Sequence, residues 1–242
     1  MANQLTSYAI FIDYDNLLPA HKSSGILDVV TKVLMQVPRV PGSLMARCEV
    51  RIYGGWYEET AITRLAENVT IELVRDFPAT IRLPNAMGNP TTVETTGELA
   101  VALLQEPGHH LFNTYRRKGK PSNIRVMQPA SIGCIDPDCI LPMVKKLLKK
   151  GTCPKHGCNI SVTDLVYRHE QKIVDSMLAC DLIFAADSGV QHIVLVGGDD
   201  DFLPPLRTIT LRGASVVRFF TKPNDQRVSF PCYGVKLLEM EL

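Results

Sequence analysis

Short apolar segments alternate with segments of helical periodicity at both ends of the chain. The segment 8–12 is apolar and bounded by polar residues, a pattern typical of a buried strand in a parallel sheet. The segment 26–36 carries apolar residues at helical spacing, which predicts an amphipathic helix that ends before Pro38. The segment 78–90 is predicted to be a loop. The same criteria predict further strands at 48–53, 71–74, 192–196 and 214–220, and further helices at 60–68, 96–105, 142–150, 165–186 and 204–211.

This alternation predicts a parallel α/β sheet with right-handed crossovers, because a helix between two strands returns the chain to the same edge of the sheet. The middle of the chain, residues 106–163, interrupts the alternation and is rich in basic residues. We therefore interpret residues 1–242 as a single α/β domain that carries an insertion at 106–163.

The composition is that of an ordinary globular protein, with 45% apolar and 21% charged residues. A net charge of +1 gives no indication of a polyanionic or membrane partner, although charge acts through its distribution. No apolar run approaches the roughly 20 residues that span a bilayer, and no secretory signal is visible. The odd number of cysteines, seven, argues against a disulfide framework. Together these features predict a cytoplasmic protein without a membrane partner.

Carboxylates follow two of the predicted strands directly. They are Asp13 and Asp15 after the first strand, and Asp199, Asp200 and Asp201 after the strand at 192–196. In an open α/β sheet, ligands bind at the carboxyl ends of the strands where the strand order reverses, so acids from both segments are expected to converge there. Gly197 and Gly198, which precede the second group, would allow the backbone to approach a ligand closely.

Several carboxylates in one crevice repel one another unless a cation compensates them. Mg²⁺ prefers oxygen ligands and phosphate substrates, and it can activate a water molecule for hydrolysis. Each acid alone could instead cap a helix or close a turn. The predicted helix at 165–186 adds Asp175 and Asp181, which lie about 120° apart on a helical wheel and could also be solvated acids.

Three sequence blocks carry these acids in a fixed order. They are Phe11-Ile12-Asp13-x-x-Asn16, Lys172-x-Val174-Asp175 with Asp181, and Gly197-Gly198-Asp199-x-Asp201-Phe202 with Pro205-Leu206. Together the blocks resemble the NYN domain family, a branch of the PIN-like metal-dependent ribonucleases. The resemblance covers the start and the last third of the chain. It implies a Rossmann-like three-layer α/β/α sandwich with a central parallel sheet, and an endoribonuclease that uses Mg²⁺ or Mn²⁺.

The resemblance also implies a role for each matching residue. The metal ligands would be Asp13, Asp175, Asp199 and Asp201, with Asn16 orienting the site and Asp181 as an outer acidic position. The chain departs from the family in three respects. Gly197-Gly198 stands where the family usually has a serine next to the glycine, Asp15 and Asp200 are additional acids, and the insertion is not covered.

Other functions fit parts of the pattern. Asp13-Tyr14-Asp15 imitates the first motif of haloacid dehalogenase-like phosphatases, in which Asp13 would be a covalent nucleophile and Asp15 a general acid. We disfavour that interpretation because Asn16-Leu17 follows instead of the usual Gly-Thr, and because Lys172 and Asp175 have no role in it. An RNA-binding module of the same fold that does not cleave, and an interaction protein, remain alternatives.

The insertion contains two cysteine pairs of equal spacing. Cys134 and Cys139 are followed after thirteen residues by Cys153 and Cys158. This spacing predicts a structural Zn²⁺ site that would fold a segment with little apolar core of its own. His156 could replace Cys158 as the fourth ligand, and core cysteines or redox chemistry are the alternatives.

Basic residues cluster in the same insertion. Flexible basic segments attract phosphate backbones without reading base sequence, so RNA is the predicted partner, although a basic helix can also be an ordinary solvated one. A homodimer, or a protein partner bound through the insertion, is also possible. The candidate RNA-binding residues are Arg116, Arg117, Lys118, Lys120, Lys145, Lys146, Lys149 and Lys150.

Overall fold

The computed structural model describes residues 6–38, 43–84, 90–118, 127–132, 138–166, 168–221 and 237–242. The chain divides into two compact units. The larger unit comprises Met1–Thr114 and Lys172–Leu242, and the smaller unit comprises Tyr115–Gln171. In the part of the chain that is described, no helix is both long and apolar enough to cross a membrane.

The helices and strands follow one another along the chain. They are β1 (Thr6–Asp13), α1 (Pro19–Ser24), α2 (Ile26–Gln36), β2 (Met45–Tyr53), β3 (Tyr57–Glu58), β4 (Ala61–Ile62), α3 (Arg64–Asp76), β5 (Ala79–Leu83), β6 (Thr91–Leu99), β7 (Ala102–Leu103), β8 (Glu106–His110), β9 (Tyr115–Lys118), α4 (Leu141–Lys150), α5 (Val162–Leu165), β10 (Arg168–Gln171), α6 (Val174–Asp187), β11 (His192–Val196), α7 (Leu203–Leu211), β12 (Ser215–Phe220) and β13 (Leu237–Glu241). Short 3₁₀ turns form at Pro129–Ile132 and Asp200–Phe202.

The larger unit is built on a seven-stranded, mostly parallel sheet. Its strand order is β13-β12-β11-β1-β2-β6-β5. Every neighbouring pair is parallel except β5 and β6, which are antiparallel. The sequence-based prediction of an α/β fold with a parallel sheet is confirmed, whereas the antiparallel edge strand was not predicted.

Helices cover both faces of this sheet because β1 alternates its side chains between two apolar clusters. Ile10 and Ile12 point into a cluster that includes buried residues of α2 and α3. Phe11 points into a second cluster with buried residues of α6 and α7, among them Met177 and Leu206. The two clusters form the core, and they are compatible with a three-layer arrangement.

The predicted strand at 71–74 is wrong, because this segment is the last part of α3. The Thr63 hydroxyl accepts a hydrogen bond from Ala66 N at 3.2 Å and so caps the start of the helix. The helical spacing of the buried residues continues to Leu73, whereas Ile71 and Val74 are 66% and 77% exposed. The apolar run was misleading because half of it points into solvent.

The predicted helix at 96–105 is also wrong, because the segment begins within β6. Thr91, Val93 and Thr95 are buried at alternate positions, as in a strand with one covered face. Gly97 continues the strand against α3, since a Cβ at this position would lie 3.1–3.3 Å from the side chains of Leu73 and Phe77. The alternation of buried and exposed side chains, which is typical of a strand, therefore outweighs the helix propensity of the residues that follow Gly97.

Two further predictions require correction. The predicted loop at 78–90 contains β5, which pairs with β6. The predicted helix at 165–186 begins only at Val174, because Arg168–Gln171 pairs with β9 instead. Ile173 separates the strand from the helix with a backbone φ of 63°. This left-handed conformation breaks the helical path, and it is rare for a β-branched residue.

The smaller unit has its own short elements. Strands β9 and β10 pair antiparallel, and α4 occupies the region of the helix predicted at 142–150. None of the residues of α4, all of which are described, is buried.

Candidate functional site

The carboxyl ends of β1 and β11 form a switch point. The strands β2, β6 and β5 extend the sheet on one side of this point, and β11, β12 and β13 extend it on the other. β1 pairs with β11 on one side and with β2 on the other, and all three strands run in parallel. The register pairs Ile12 with Val196, so the segments that follow both residues leave the sheet side by side. Ligands of open α/β sheets bind at such a point. The acids that follow these two strands are therefore at the expected edge.

Asp13 is the buried acid of this edge, with only 4% of its surface exposed. The Asn16 side-chain amide donates a hydrogen bond to Asp13 Oδ2, and the backbone carbonyl of Asn16 accepts one from the Thr221 hydroxyl. Burial raises the pKa of Asp13 to about 6. The hydrogen bond from Asn16 opposes this effect, and the negative charges of Asp175 and Asp15 add to it.

The loop after β11 lies against Asp13. A Cβ on Gly197 would be 3.3 Å from the Cβ of Asp13, so a larger residue would push the two segments apart. Asp199 Oδ1 accepts a hydrogen bond from Asp201 N at 3.2 Å and thereby caps the 3₁₀ turn that follows. Asp199 thus performs the capping role that sequence reasoning offered as an alternative. Asp199 and Asp201 remain exposed.

A buried arginine holds this loop from the neighbouring strand β12. Arg218, only 1% exposed, donates from Nε to the carbonyl of Gly197 and from Nη2 to Asp200 Oδ1, both at 3.2 Å. Its Nη1 lies 3.5 Å from Glu239 Oε1 on β13, and its guanidinium carbon lies 4.4 Å from the centre of the Phe220 ring. Asp200 is therefore turned toward Arg218. Sequence reasoning missed this arginine, whose only signal is a single charge inside an apolar strand.

Asp175 brings a third element, α6, to the same group of acids. It lies in the first turn of the helix, and as a whole residue it is exposed. The pKa of Asp175 is raised, first by the partial burial of its carboxyl group and then by the negative charges of Asp199, Asp201 and Asp15. The pKa of Asp15 is also raised by partial burial, against the lowering effect of Lys22. We call the five residues Asp13, Asp15, Asp175, Asp199 and Asp201 the acidic cluster.

Asp181 has different surroundings, although it lies on the same helix as Asp175. It is 1% exposed, and its carboxylate accepts hydrogen bonds from the Tyr53 hydroxyl at 2.7 Å and from Leu104 N at 2.8 Å. Arg51 Nε lies 3.2 Å from Asp181 Oδ2, within ion-pair distance but without hydrogen-bond geometry. Burial raises the pKa of Asp181, and these partners oppose the rise. Asp181 thus ties α6 to β2.

Arg51 extends this buried network to β6 and to the segment after it. Its guanidinium also donates to Glu98 Oε1 and to the backbone carbonyl of Ala102. Burial and the charge of Asp181 raise the pKa of Tyr53 well above its ordinary value. We refer to Arg51, Tyr53, Glu98 and Asp181 as the buried polar network. Sequence reasoning missed Arg51 and Tyr53, because β2 also carries exposed charges at Arg47 and Glu49 and nothing local marks Arg51 as buried.

Within the described residues, no three histidine, cysteine, aspartate or glutamate side chains are placed as a set that could hold a metal ion. The donor chemistry of the acidic cluster nevertheless fits a hard divalent cation. Its side chains are carboxylates, and the pKa values of Asp13 and Asp175 are raised first by burial and then further by neighbouring negative charges. A cation would compensate this repulsion.

The cysteine residues of the smaller unit are described only in part. Cys134 lies outside the described residues. The Cys158 thiol has a lowered pKa because of hydrogen bonds with the backbone of Ile160 and with the side chain of Cys153. Cys139 accepts a hydrogen bond from Leu141 N at 3.4 Å. The two thiols of the second pair therefore face each other across one turn.

The basic residues of the smaller unit are also described only in part. Arg116, Arg117 and Lys118 belong to β9, and Lys120 lies outside the described residues. The four lysines of α4 (Lys145, Lys146, Lys149 and Lys150) lie on a helix without buried residues, and its last two residues, Lys149 and Lys150, are exposed.

A cavity of about 450 Å³ opens elsewhere in the larger unit. It lies on the α6 side of β1, β2 and β6, and its lining includes Phe11, Arg51, Glu98, Leu104 and Phe184. None of the lining residues belongs to the acidic cluster, so the volume of a cavity does not by itself identify the site of chemistry.

Comparison with known proteins gives no relative from which to transfer a function. The chain matches no family model, no curated protein and no solved structure. Any functional conclusion therefore depends on the residues themselves and on their arrangement.

Proposed function

We propose that the protein is a metal-dependent endoribonuclease of the PIN-like type, with a Rossmann-like three-layer fold. One observation carries the proposal. Acids from β1, from α6 and from the loop after β11 act on one another at the switch point. The charges of Asp175 and Asp15 add to the burial that raises the pKa of Asp13, and those of Asp199 and Asp201 add to the burial that raises the pKa of Asp175. The order of these acids along the chain is that of the NYN domain family, which the sequence blocks resemble.

Each residue has a role in this proposal. Asp13, Asp175, Asp199 and Asp201 would hold Mg²⁺ or Mn²⁺. When bound, the ion supplies charge stabilisation at the phosphoryl oxygens and a more acidic water molecule. Asn16 orients the Asp13 carboxylate through its hydrogen bond to Oδ2.

Arg218 has a positioning role in the same proposal. It fixes the loop through Gly197 and Asp200, so that Asp199 and Asp201 stay beside β1. Asp200 is then the partner of Arg218 and is left out of the ligand set.

The accessibility of Asp13 favours a nuclease over a phosphatase with a covalent intermediate. A nucleophilic carboxylate must reach the phosphorus of its substrate, whereas Asp13 is 4% exposed and already accepts a hydrogen bond from Asn16. A buried carboxylate suits a ligand that contacts a small ion.

Metal dependence is the direct test of the proposal. End-labelled single-stranded and hairpin RNAs are expected to be cleaved with Mg²⁺ or Mn²⁺ and to stay intact when EDTA is added in excess. Excess metal should restore cleavage after EDTA treatment. Intact RNA under every condition would contradict the nuclease proposal, and phosphate release from simple monoesters would favour the phosphatase.

We also propose that the smaller unit binds one structural Zn²⁺ through Cys134, Cys139, Cys153 and Cys158, with His156 as the alternative to Cys158. The hydrogen bond between Cys153 and Cys158, and the lowered pKa of the Cys158 thiol, support the proposal because thiolates are the zinc ligands. The basic residues of this unit would contact the phosphate backbone of RNA, with affinity that falls as salt increases.

Metal analysis tests the zinc proposal. We expect about one zinc per chain in the purified protein and its loss from the variant Cys153→Ser/Cys158→Ser. The matched control is Cys180→Ser, which changes an exposed cysteine of α6. Equal zinc content in the double variant and in the control would overturn the proposal.

A further inference from the structure

Three rings, of which two are exposed and one is half-buried, form an aromatic cluster in the larger unit. Tyr57 lies on β3, His110 ends β8, and Phe112 follows two residues later. The ring centres of Tyr57 and Phe112 are 5.0 Å apart with planes at 76°, and those of His110 and Phe112 are 5.9 Å apart. The Tyr57 hydroxyl lies 3.4 Å from His110 Nδ1. We call Tyr57, His110 and Phe112 the aromatic cluster.

The backbone around the aromatic cluster is fixed by hydrogen bonds. Asn113 N donates to the carbonyl of Glu59 at 2.7 Å, which joins the segment after Phe112 to the turn after β3. Tyr57 N donates to the Thr114 hydroxyl at 3.0 Å, and Thr114 is 1% exposed. The rings are therefore carried by two segments that are tied together by hydrogen bonds.

The same contacts connect the aromatic cluster to the edge of the sheet that carries the acids. The carbonyl of Thr114 accepts a hydrogen bond from Lys172 N at 2.9 Å, two residues before α6 begins and three before Asp175. On the other side, Tyr57 follows β2, whose last residue, Tyr53, is the register partner of Asp13. The aromatic cluster is thus joined along the chain to the end of β2, and through a backbone hydrogen bond to the segment just before α6, the helix that carries Asp175.

Aromatic side chains that only pack into a core are normally covered, whereas rings of this cluster are exposed. Phe112 is 45% exposed and His110 is also exposed, yet both contact Tyr57. Among the other described residues of the larger unit, the strongly exposed apolar side chains, such as Ile71 and Val74, are aliphatic and offer no flat face. Exposed aromatic faces are the surfaces on which unpaired bases stack, and such stacking tolerates any base.

We propose that the aromatic cluster binds an unpaired base of single-stranded RNA next to the phosphodiester that the acidic cluster would engage. This inference rests on the proposed function, whose substrate class it specifies. A base can reach the rings only when it is free of its partner strand, so the surface favours single-stranded segments over a continuous duplex.

Equilibrium binding tests the inference separately from cleavage. Fluorescence anisotropy with a labelled single-stranded RNA is measured in EDTA, so that no divalent ion is available for hydrolysis. Phe112→Leu keeps an apolar side chain but removes the ring, and it is expected to weaken binding about tenfold to a hundredfold. Phe112→Trp restores a stacking face and should bind about as well as the unaltered protein. Ile71→Leu, a change of an exposed residue on α3, is the matched control and should have no effect.

Duplex RNA of the same length gives the second comparison. Its affinity, dominated by backbone charge, should be the same for Phe112→Leu and the unaltered protein. Equal affinity of Phe112→Leu and the control for single-stranded RNA would overturn the inference and leave the nuclease proposal standing. An equal loss of single-stranded and duplex binding would also overturn it. If the ring matters for binding but no metal supports cleavage, the stacking site stands and the nuclease proposal fails.

Discussion

Asp13→Asn is expected to abolish RNA cleavage and, at the same time, to make the metal-free protein more stable at neutral pH. The loss of cleavage should exceed about a hundredfold, because the proposed ion would lose its most buried ligand. The gain in stability follows from the environment of Asp13, which disfavours its charged form. Asparagine has nearly the same shape and no charge, and it can still accept the hydrogen bond from Asn16.

The direction of the pH dependence follows from the two pKa values of Asp13. The pKa is about 6 in the folded protein and 3.8 as the ordinary value of the unfolded chain. The folded state therefore binds the proton more tightly, and the free energy of unfolding falls as the pH rises from about 4 to about 6 and stays low above that. The reduction is about 3 kcal/mol at neutral pH. Asp13→Asn removes this pH dependence. The variant should therefore be more stable than the unaltered protein at neutral pH and equally stable toward pH 4.

Denaturant unfolding in EDTA at several pH values measures the stability, and the RNA assay measures the activity. The matched control is Asp187→Asn, which changes an exposed acid at the end of α6 and should affect neither quantity by much. Added Mg²⁺ or Mn²⁺ should stabilise the unaltered protein and leave Asp13→Asn unchanged. Full cleavage by Asp13→Asn would contradict the proposed metal site, and lower stability at neutral pH would contradict the account of its pKa.

The parts of the site that depend on strand ends could be predicted from the sequence. Asp13 and Asp199 each follow a short apolar strand, and the parallel alternation of elements implies that such ends meet at one edge. The close approach of a ligand to Gly197 stays a prediction, and the structure shows instead that the missing side chain of Gly197 leaves room for Asp13. These inferences needed only local patterns and the general topology of α/β sheets.

The parts that depend on tertiary partners could not be predicted in the same way. Arg218 is a single charge inside an apolar strand, whereas Arg51 is one of three charged residues in β2, and the partners of both arginines lie on other strands or loops. Asp181 was grouped with Asp175 because both are acids of one helix. The chain gives no local sign that one of them faces the acidic cluster and the other a buried arginine. The boundary at Ile173 was missed because a β-branched residue seldom adopts a positive φ.

Arg51→Met is expected to lower the free energy of unfolding by about 3–5 kcal/mol. Methionine retains much of the side-chain volume, but it leaves the buried Asp181 carboxylate without its cation. It also removes the donors to Glu98 and to the carbonyl of Ala102. Because Asp181 lies on α6, the loosened helix should also misplace Asp175 and reduce RNA cleavage under conditions in which the variant is still folded.

The double variant Arg51→Met/Asp181→Asn separates the lost charge pairing from lost packing. The amide at position 181 carries no charge and still accepts a hydrogen bond from the Tyr53 hydroxyl or from Leu104 N. It should therefore recover part of the stability that Arg51→Met loses. Arg47→Met is the matched control, since Arg47 lies on the same strand and pairs with Glu94 on β6 at 4.0 Å, as Arg51 pairs with Glu98, but in an exposed position. We expect a change of less than about 0.5 kcal/mol for this control. Equal losses of unfolding free energy for Arg47→Met and Arg51→Met would show that burial of the Arg51–Asp181 pair contributes nothing. A double variant no more stable than Arg51→Met would assign the loss to packing alone.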